Sequence, residues 1–221
     1  IRRIWEKDAS LWTKDPDGQK EVKSRLGWLV LPERMRVSTA EIVSFAKEIK
    51  GAGFTHILLL GMGGSSLAPE MFQSVFGNAP QSPQLLVLDS TDPARVKDIE
   101  AKIAMETTLF IVSSKSGGTV ELLSFFNYFY EKVQTLKGAQ AGEQFIAITD
   151  PGSPLEGMAK KFHFRKIFLA PPDVGGRFSA LTFFGLVPAA LIGTDIKKII
   201  ETAQRVKDFS SADVPVAQHA A

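Results

Sequence analysis

Between residues 55 and 169 the apolar positions fall in short unbroken runs, such as Ile57-Leu58-Leu59-Leu60 and Leu109-Phe110-Ile111-Val112, instead of alternating with polar ones. A strand buried on one face alternates, whereas a strand covered on both faces does not. Runs of this kind predict strands at 55–60, 84–88, 108–112, 144–148 and 166–169, and the intervening stretches 67–76, 93–104, 119–136 and 154–162 carry apolar residues at helical spacing. Strands alternating with helices build a parallel sheet. The predicted fold class is therefore α/β, a doubly wound five-stranded parallel sheet with flavodoxin-like order 2-1-3-4-5.

The flanks read as helical. Helices are predicted at 3–11 and 19–26, separated by an Asp15-Pro16-Asp17-Gly18 turn. Ser38 is expected to cap a helix at 39–50, with Glu41 completing a capping box and Gly51-Ala52-Gly53 ending it. Beyond the sheet, further helices are predicted at 178–192 and 195–209. This divides the chain into a helical arm (1–50), a sheet domain (51–195) and a helical segment (196–221) that opens the connection to a second domain. The chain begins without methionine, and Val216-Ala217-Gln218-His219-Ala220-Ala221 reads as the opening of a helix cut short, so a fragment of a longer protein is expected.

Two loops carry the chemistry. Gly61-Met62-Gly63-Gly64-Ser65-Ser66 follows the first strand, and Ser113-Ser114-Lys115-Ser116-Gly117-Gly118-Thr119 follows the third. Each precedes a helix, whose first-turn N–H groups have no internal partner and carry the positive end of the dipole, a geometry that collects anions. In the order 2-1-3-4-5 the first and third strands are neighbours, so both loops flank the switch point where open α/β sheets bind ligands. One phosphate shared between them would meet the hydroxyls of Ser65, Ser114, Ser116 and Thr119 and the N–H groups freed by Gly64, Gly117 and Gly118. That donor set is mostly neutral. Taken singly, either loop is equally well a turn and an N-cap. A dinucleotide fingerprint is the other reading of the first loop, with Asp89 ending strand two as the ribose acid, but Gly61-x-Gly63-x-x-Ser66 lacks the third glycine.

Composition narrows the partners. The 221 residues are 44% hydrophobic and 23% charged, enough for one sizeable domain, and the net charge of +2 comes without a basic block, which argues against nucleic acid. Without cysteine there is no disulfide framework and no thiolate metal site. His56, His163 and His219 show no ligand spacing, so neither metal nor cofactor is expected. The apolar stretch 181–192 is too short to span a bilayer, and the charged opening residues are not a signal peptide. A cytoplasmic protein with a small-molecule partner and no membrane or nucleic-acid partner is expected. After the fifth strand, Asp173-Val174-Gly175-Gly176-Arg177-Phe178-Ser179 places a guanidinium beside paired glycines, which suits an oxyanion as well as it suits a surface turn. Glu121, in the first turn after the second loop, either complements the helix dipole or faces the crevice.

Taken together these residues resemble the phosphoglucose isomerase family over nearly the whole chain. Gly63-Gly64-Ser65-Ser66-Leu67-Ala68-Pro69 is similar to the family's first glycine-rich loop, Ser114-Lys115-Ser116-Gly117-Gly118-Thr119-Val120-Glu121 to its phosphate loop, and Asp173-Val174-Gly175-Gly176-Arg177-Phe178-Ser179 to its signature. The arm, with Trp5-Glu6-Lys7-Asp8-Ala9-Ser10-Leu11-Trp12, resembles the isomerase half of bacterial transaldolase and isomerase fusions. The resemblance implies a sugar isomerase (SIS) domain, glucose 6-phosphate and fructose 6-phosphate as substrates, an enediol route and a homodimer for the full-length protein. It implies that Gly64, Ser65, Ser114, Lys115, Ser116 and Thr119 hold the phosphate, that Arg177 and the Gly176 backbone sit by the sugar's C1 and C2 oxygens, and that Glu121 is placed near the ring-opening histidine. Gly117-Gly118 stands where a bulky residue and threonine often occur in the family's common eukaryotic form. The family's general base glutamate, its ring-opening histidine and a further lysine come from a second domain, the histidine in some cases from a neighbouring subunit. The parent is thus expected to be an isomerase and this chain a weak sugar-phosphate binder; a non-catalytic sugar-phosphate module is the alternative.

Overall fold

A computed structural model describes residues 1–215; the predicted helix opening at Val216 lies outside the described residues. The sheet has five parallel strands, β1 (His56–Gly61), β2 (Gln84–Leu88), β3 (Thr108–Ser113), β4 (Phe145–Thr149) and β5 (Lys166–Leu169), in the order β2-β1-β3-β4-β5. In chain order the helices are α1 (Arg2–Trp5), α2 (Pro16–Lys23), α3 (Leu31–Arg36), α4 (Thr39–Gly51), α5 (Leu67–Phe76), α6 (Pro93–Glu100), α7 (Val120–Lys137), α8 (Pro154–Lys161), α9 (Phe183–Leu191) and α10 (Ile196–Phe209).

The unbroken apolar runs exist because each strand feeds two cores. Leu58, Leu60, Phe110, Val112, Phe145 and Ala147 pack with Phe126 and Phe129 of α7 and Leu155 of α8. Their neighbours Ile57, Leu59, Leu109, Ile111, Ile146 and Ile148 pack on the other face with Ile42 and Phe45 of α4 and with α9. All nine residues of α9 are buried, which explains a helix-length stretch with no polar face. The segment 1–50 packs onto the sheet: Leu31, Met35, Ile42, Phe45 and Ile49 belong to the same core, as do Ile196 and Ile200 of α10.

Several local expectations fail for identifiable reasons. The helix expected at 3–11 breaks after α1, because Lys7 adopts a left-handed φ of 55° and the Asp8 carboxylate accepts the Ser10 N–H to start a separate 3-10 turn. Asp15-Pro16-Asp17-Gly18 is the start of α2, with the Asp15 carboxylate accepting the Gly18 N–H and Pro16 opening the first turn. The capping box at Ser38 and Glu41 is absent. Ser38 is already αR and makes no side-chain cap, because the chain runs almost directly from α3 into α4, and Glu41 pairs with Lys166 at 2.7 Å. The helix expected at 93–104 stops at Glu100, and the one expected at 178–192 is a 3-10 turn over Gly176–Leu181 followed by α9. Between those two the Thr182 hydroxyl donates to the Ser179 carbonyl at 2.7 Å and accepts the Phe184 N–H at 3.2 Å, which ends one element and caps the next.

Candidate functional site

A cavity of about 460 Å³ opens at the carboxyl ends of β1 and β3. Both glycine-rich loops line it, as their placement on neighbouring strands requires: Gly61 is the register partner of Ser113, the last residues of the two strands. Gly64, Ser65, Ser114, Lys115, Ser116, Thr119 and Gly176 all face the cavity. Arg177 and Glu121 are not among its lining residues; Arg177 stands one residue beyond Gly176, and Glu121 is half-buried in the first turn of α7. Asp89, at the end of β2, does not reach the cavity either.

The first loop is pressed against the third motif. A Cβ on Gly64 would stand 2.7 Å from the Gly176 carbonyl carbon, so only glycine lets these two backbones meet. Ser179 fixes the contact, since its hydroxyl lies 2.7 Å from the Gly176 carbonyl and 3.2 Å from that of Gly64. Below it the Ser113 hydroxyl donates to the Ser65 carbonyl at 3.4 Å, and the Ser66 hydroxyl to that of Gly63 at 3.0 Å.

The second loop keeps some of its donors for itself. The Gly117 N–H, expected to be free, is spent on the Ser114 hydroxyl oxygen at 3.1 Å, because this loop folds back over its own serine; Ser114 Oγ also lies 3.3 Å from Thr119 Oγ1. Thr119 occupies the N-cap of α7 with extended backbone and no capping bond from its side chain. The start of α7 thus has no cap from the Thr119 side chain and lies at the cavity, with Thr119 and Leu122 both on its wall.

The cavity is less neutral than the loops suggested. Lys115 Nζ lies 2.5 Å from Asp150 Oδ2 and 2.8 Å from the Pro172 carbonyl, clipping together the loops that follow β3, β4 and β5. The Asp150 Oδ1 is buried with no hydrogen-bond partner. Burial pushes the Asp150 carboxyl up from its ordinary value, against the pull of Lys115 and, more weakly, of Arg25. Arg25, delivered from the segment after α2, also lines the cavity, with Ser179 and Thr182 on the polar side and Pro171, Val174 and Phe184 on the apolar side. Sequence reasoning missed Arg25, Asp150 and Thr182 as cavity residues, and Ser179 entered it only as part of the third motif. Asp150 could have been found by extending the switch-point logic to the loop after the fourth strand. Arg25 has no local signature.

A small, donor-lined cavity at the switch point of a parallel sheet, with an uncapped helix N-terminus and both Lys115 and Arg25 on its wall, defines a doubly wound α/β protein built to hold a small anionic ligand. The sequence model for "Phosphoglucose isomerase" matches residues 17–218, and the chain belongs to that family. It is 34% identical over 201 residues to the glucose-6-phosphate isomerase of Carboxydothermus hydrogenoformans, covering 86% of this chain and 43% of that protein. Its identity to the glucose-6-phosphate isomerase of Thermosynechococcus vestitus is 33% over 216 residues, covering 90% and 39%. The chain thus spans less than half the length of these curated relatives. Among solved structures, a hypothetical protein from Thermus thermophilus superimposes with a TM-score of 0.83 at 27% identity, covering 98% of this chain and 50% of that one. A glucose-6-phosphate isomerase from Chlamydia trachomatis shares the fold with a TM-score of 0.70 at 23% identity, covering 94% and 38%. The α/β fold with a five-stranded parallel sheet is the one anticipated from the apolar runs. Among the described residues no helix is long and apolar enough to cross a membrane.

Proposed function

We propose that the parent protein interconverts glucose 6-phosphate and fructose 6-phosphate through an enediol, and that these residues form the phosphate-holding half of its site. The observation that carries this reading is the convergence of both glycine-rich loops and the uncapped start of α7 on one cavity, in a chain of this family. A phosphate there would take hydrogen bonds from Ser65, Ser114, Ser116 and Thr119 and from the N–H groups of α7, with Gly64 keeping the wall close and Lys115 holding the loop in shape. Moving the proton between C1 and C2 makes an oxyanion the high-energy species, and the guanidinium of Arg177 with the Gly176 backbone is the electrophilic partner for it. Glu121 stands in the first turn of α7 to orient a ring-opening group.

The cavity's own carboxylate, Asp150, is committed to Lys115; on this reading the base and the ring-opening acid are supplied by another part of the parent protein. The commitment of Asp150 to Lys115 also suits a second reading, a non-catalytic sugar-phosphate module. We further propose that the parent is a cytoplasmic homodimer; the exposed apolar row Leu67, Met71 and Val75 on α5 supports a buried contact there, and sedimentation velocity of the parent tests it.

Steady-state kinetics of the parent decide the function. Arg177→Ala is expected to lower turnover far more than Ser116→Ala, which mainly raises the substrate concentration required. Equal effects of both variants on both parameters would overturn this division of roles, and a parent that binds glucose 6-phosphate without turning it over establishes the module.

A further inference from the structure

Among the described residues, the segment 1–50 contributes one side chain to the cavity, and that side chain is a cation, Arg25. The chain on its carboxyl side is fastened to the loop after β5: Leu26 bridges Val174, and the Gly27 N–H donates to the Asp173 carbonyl at 2.8 Å. Gly27 is packed so tightly that an added Cβ would stand 2.4 Å from Asp173 Cγ. Next to it the aliphatic stem of Arg25 lies near Gly175, where a Cβ would stand 3.9 Å from Arg25 Cδ. Arg25 thereby joins Gly176 among the residues that line the cavity.

Lys115 and Arg25 are not equivalent. Lys115 is tied to Asp150 and to the Pro172 carbonyl, so its charge is already neutralised and its position fixed. Arg25 is paired with Glu21, one turn back on α2, and the two side chains are 50% and 64% exposed. An exposed pair of this kind is weakly held and readily exchanged. Asp150 is bonded to Lys115 and feels Arg25 only weakly, so of the two cations that line the cavity Arg25 is the one less tied to it. A phosphate ester is dianionic near neutral pH and presents paired oxygens that match the guanidinium fork.

Resting on the sugar-phosphate reading above, we propose that Arg25 is a further phosphate-binding residue that leaves Glu21 to clamp the phosphate of the ligand, so that the amino-terminal segment is part of the binding site. Glu21 is then the competitor that the ligand displaces. The exchange needs rotation about side-chain bonds alone, since the backbone on either side is held by Val22 and Asp173.

The test is a titration of the 221-residue chain with glucose 6-phosphate and with inorganic phosphate, followed by amide NMR shifts of Ser116 to Val120. Arg25→Ala is expected to weaken both ligands about tenfold at low salt and by less at high salt. Glu21→Gln, which frees the guanidinium, is expected to tighten both about twofold. A merely structural role for this pair would weaken binding in both variants, and that result would overturn the proposal, as would an Arg25→Ala chain that binds as tightly as the unsubstituted one. Failure of the unsubstituted chain to respond to glucose 6-phosphate at any concentration would overturn the sugar-phosphate reading itself and the role of Arg25 with it.

Discussion

At the scale of single residues, the site is set by which groups are already spoken for. The Gly117 N–H is spent on Ser114, whose own O–H is still available to donate, Lys115 is held by Asp150, and Ser179 is occupied by two carbonyls. Ser65 and Ser116 line the cavity, and the Ser114 and Thr119 hydroxyls lie 3.3 Å apart on the same wall. The two glycines that touch across the wall are under different demands. A Cβ at 64 would overlap the Gly176 backbone, but a Cβ at 176 would stand 3.6 Å from Gly64 Cα, an ordinary contact. Gly64→Ala is therefore expected to cost about 2 kcal/mol through overpacking, a fall in Tm of roughly 4–8 °C for a chain of this size, seen by calorimetry. Gly176→Ala is expected to leave Tm nearly unchanged and to weaken sugar-phosphate binding, because its missing side chain faces the cavity.

At the scale of elements, long-range pairing explains both what could be read in advance and what could not. Strand positions and the two loops were legible, since burial on both faces leaves its mark in the run of residues such as Leu109-Phe110-Ile111-Val112 itself. Of the third motif, Gly176 lines the cavity and Arg177 stands one residue beyond it. Arg25 was not legible, because nothing near residue 25 records that Leu26 will bridge Val174. The absent cap at Ser38 failed for a similar reason: the motif is local, but α3 ahead of it had already set the backbone. The last helix shows how an element far from the cavity is kept in place. Lys207 and Gln204 of α10 donate to the Glu33 carboxylate of α3, and the Trp5 indole N–H donates to the Ser210 carbonyl at 2.8 Å. Burial alone would raise the Glu33 carboxyl, but these hydrogen bonds outweigh it and hold the group below its ordinary value of 4.5. A depressed acid contributes stability above its unfolded value that is lost as pH falls through the folded one. Tm is expected to drop as the pH is lowered below 4.5, and Glu33→Gln should flatten part of that slope. Asp150, raised by burial, acts in the opposite sense, losing its contribution as pH rises through its folded value.

At the scale of the whole molecule, the amino-terminal segment is part of both the fold and the cavity. Leu31, Met35, Ile42, Phe45 and Ile49 cover one face of the sheet, so a chain lacking residues 1–50 is expected not to fold, giving a collapsed amide NMR spectrum and no cooperative melt. Trp28 stacks on Phe178 with ring centroids 5.7 Å apart, and Arg34 pairs with Asp173 at 2.6 Å, so the loop that carries Gly176 is gripped from this side as well as from Gly64. With Arg25 clamping the ligand as proposed, docking of the segment and filling of the cavity are linked equilibria, and linkage is reciprocal. A ligand that favours the docked segment disfavours its opening by the same free energy with which docking favours the ligand. The Gly27 amide, bonded to Asp173 and outside the cavity lining, thus becomes a reporter, its hydrogen exchange slowing with occupancy of a site it does not touch.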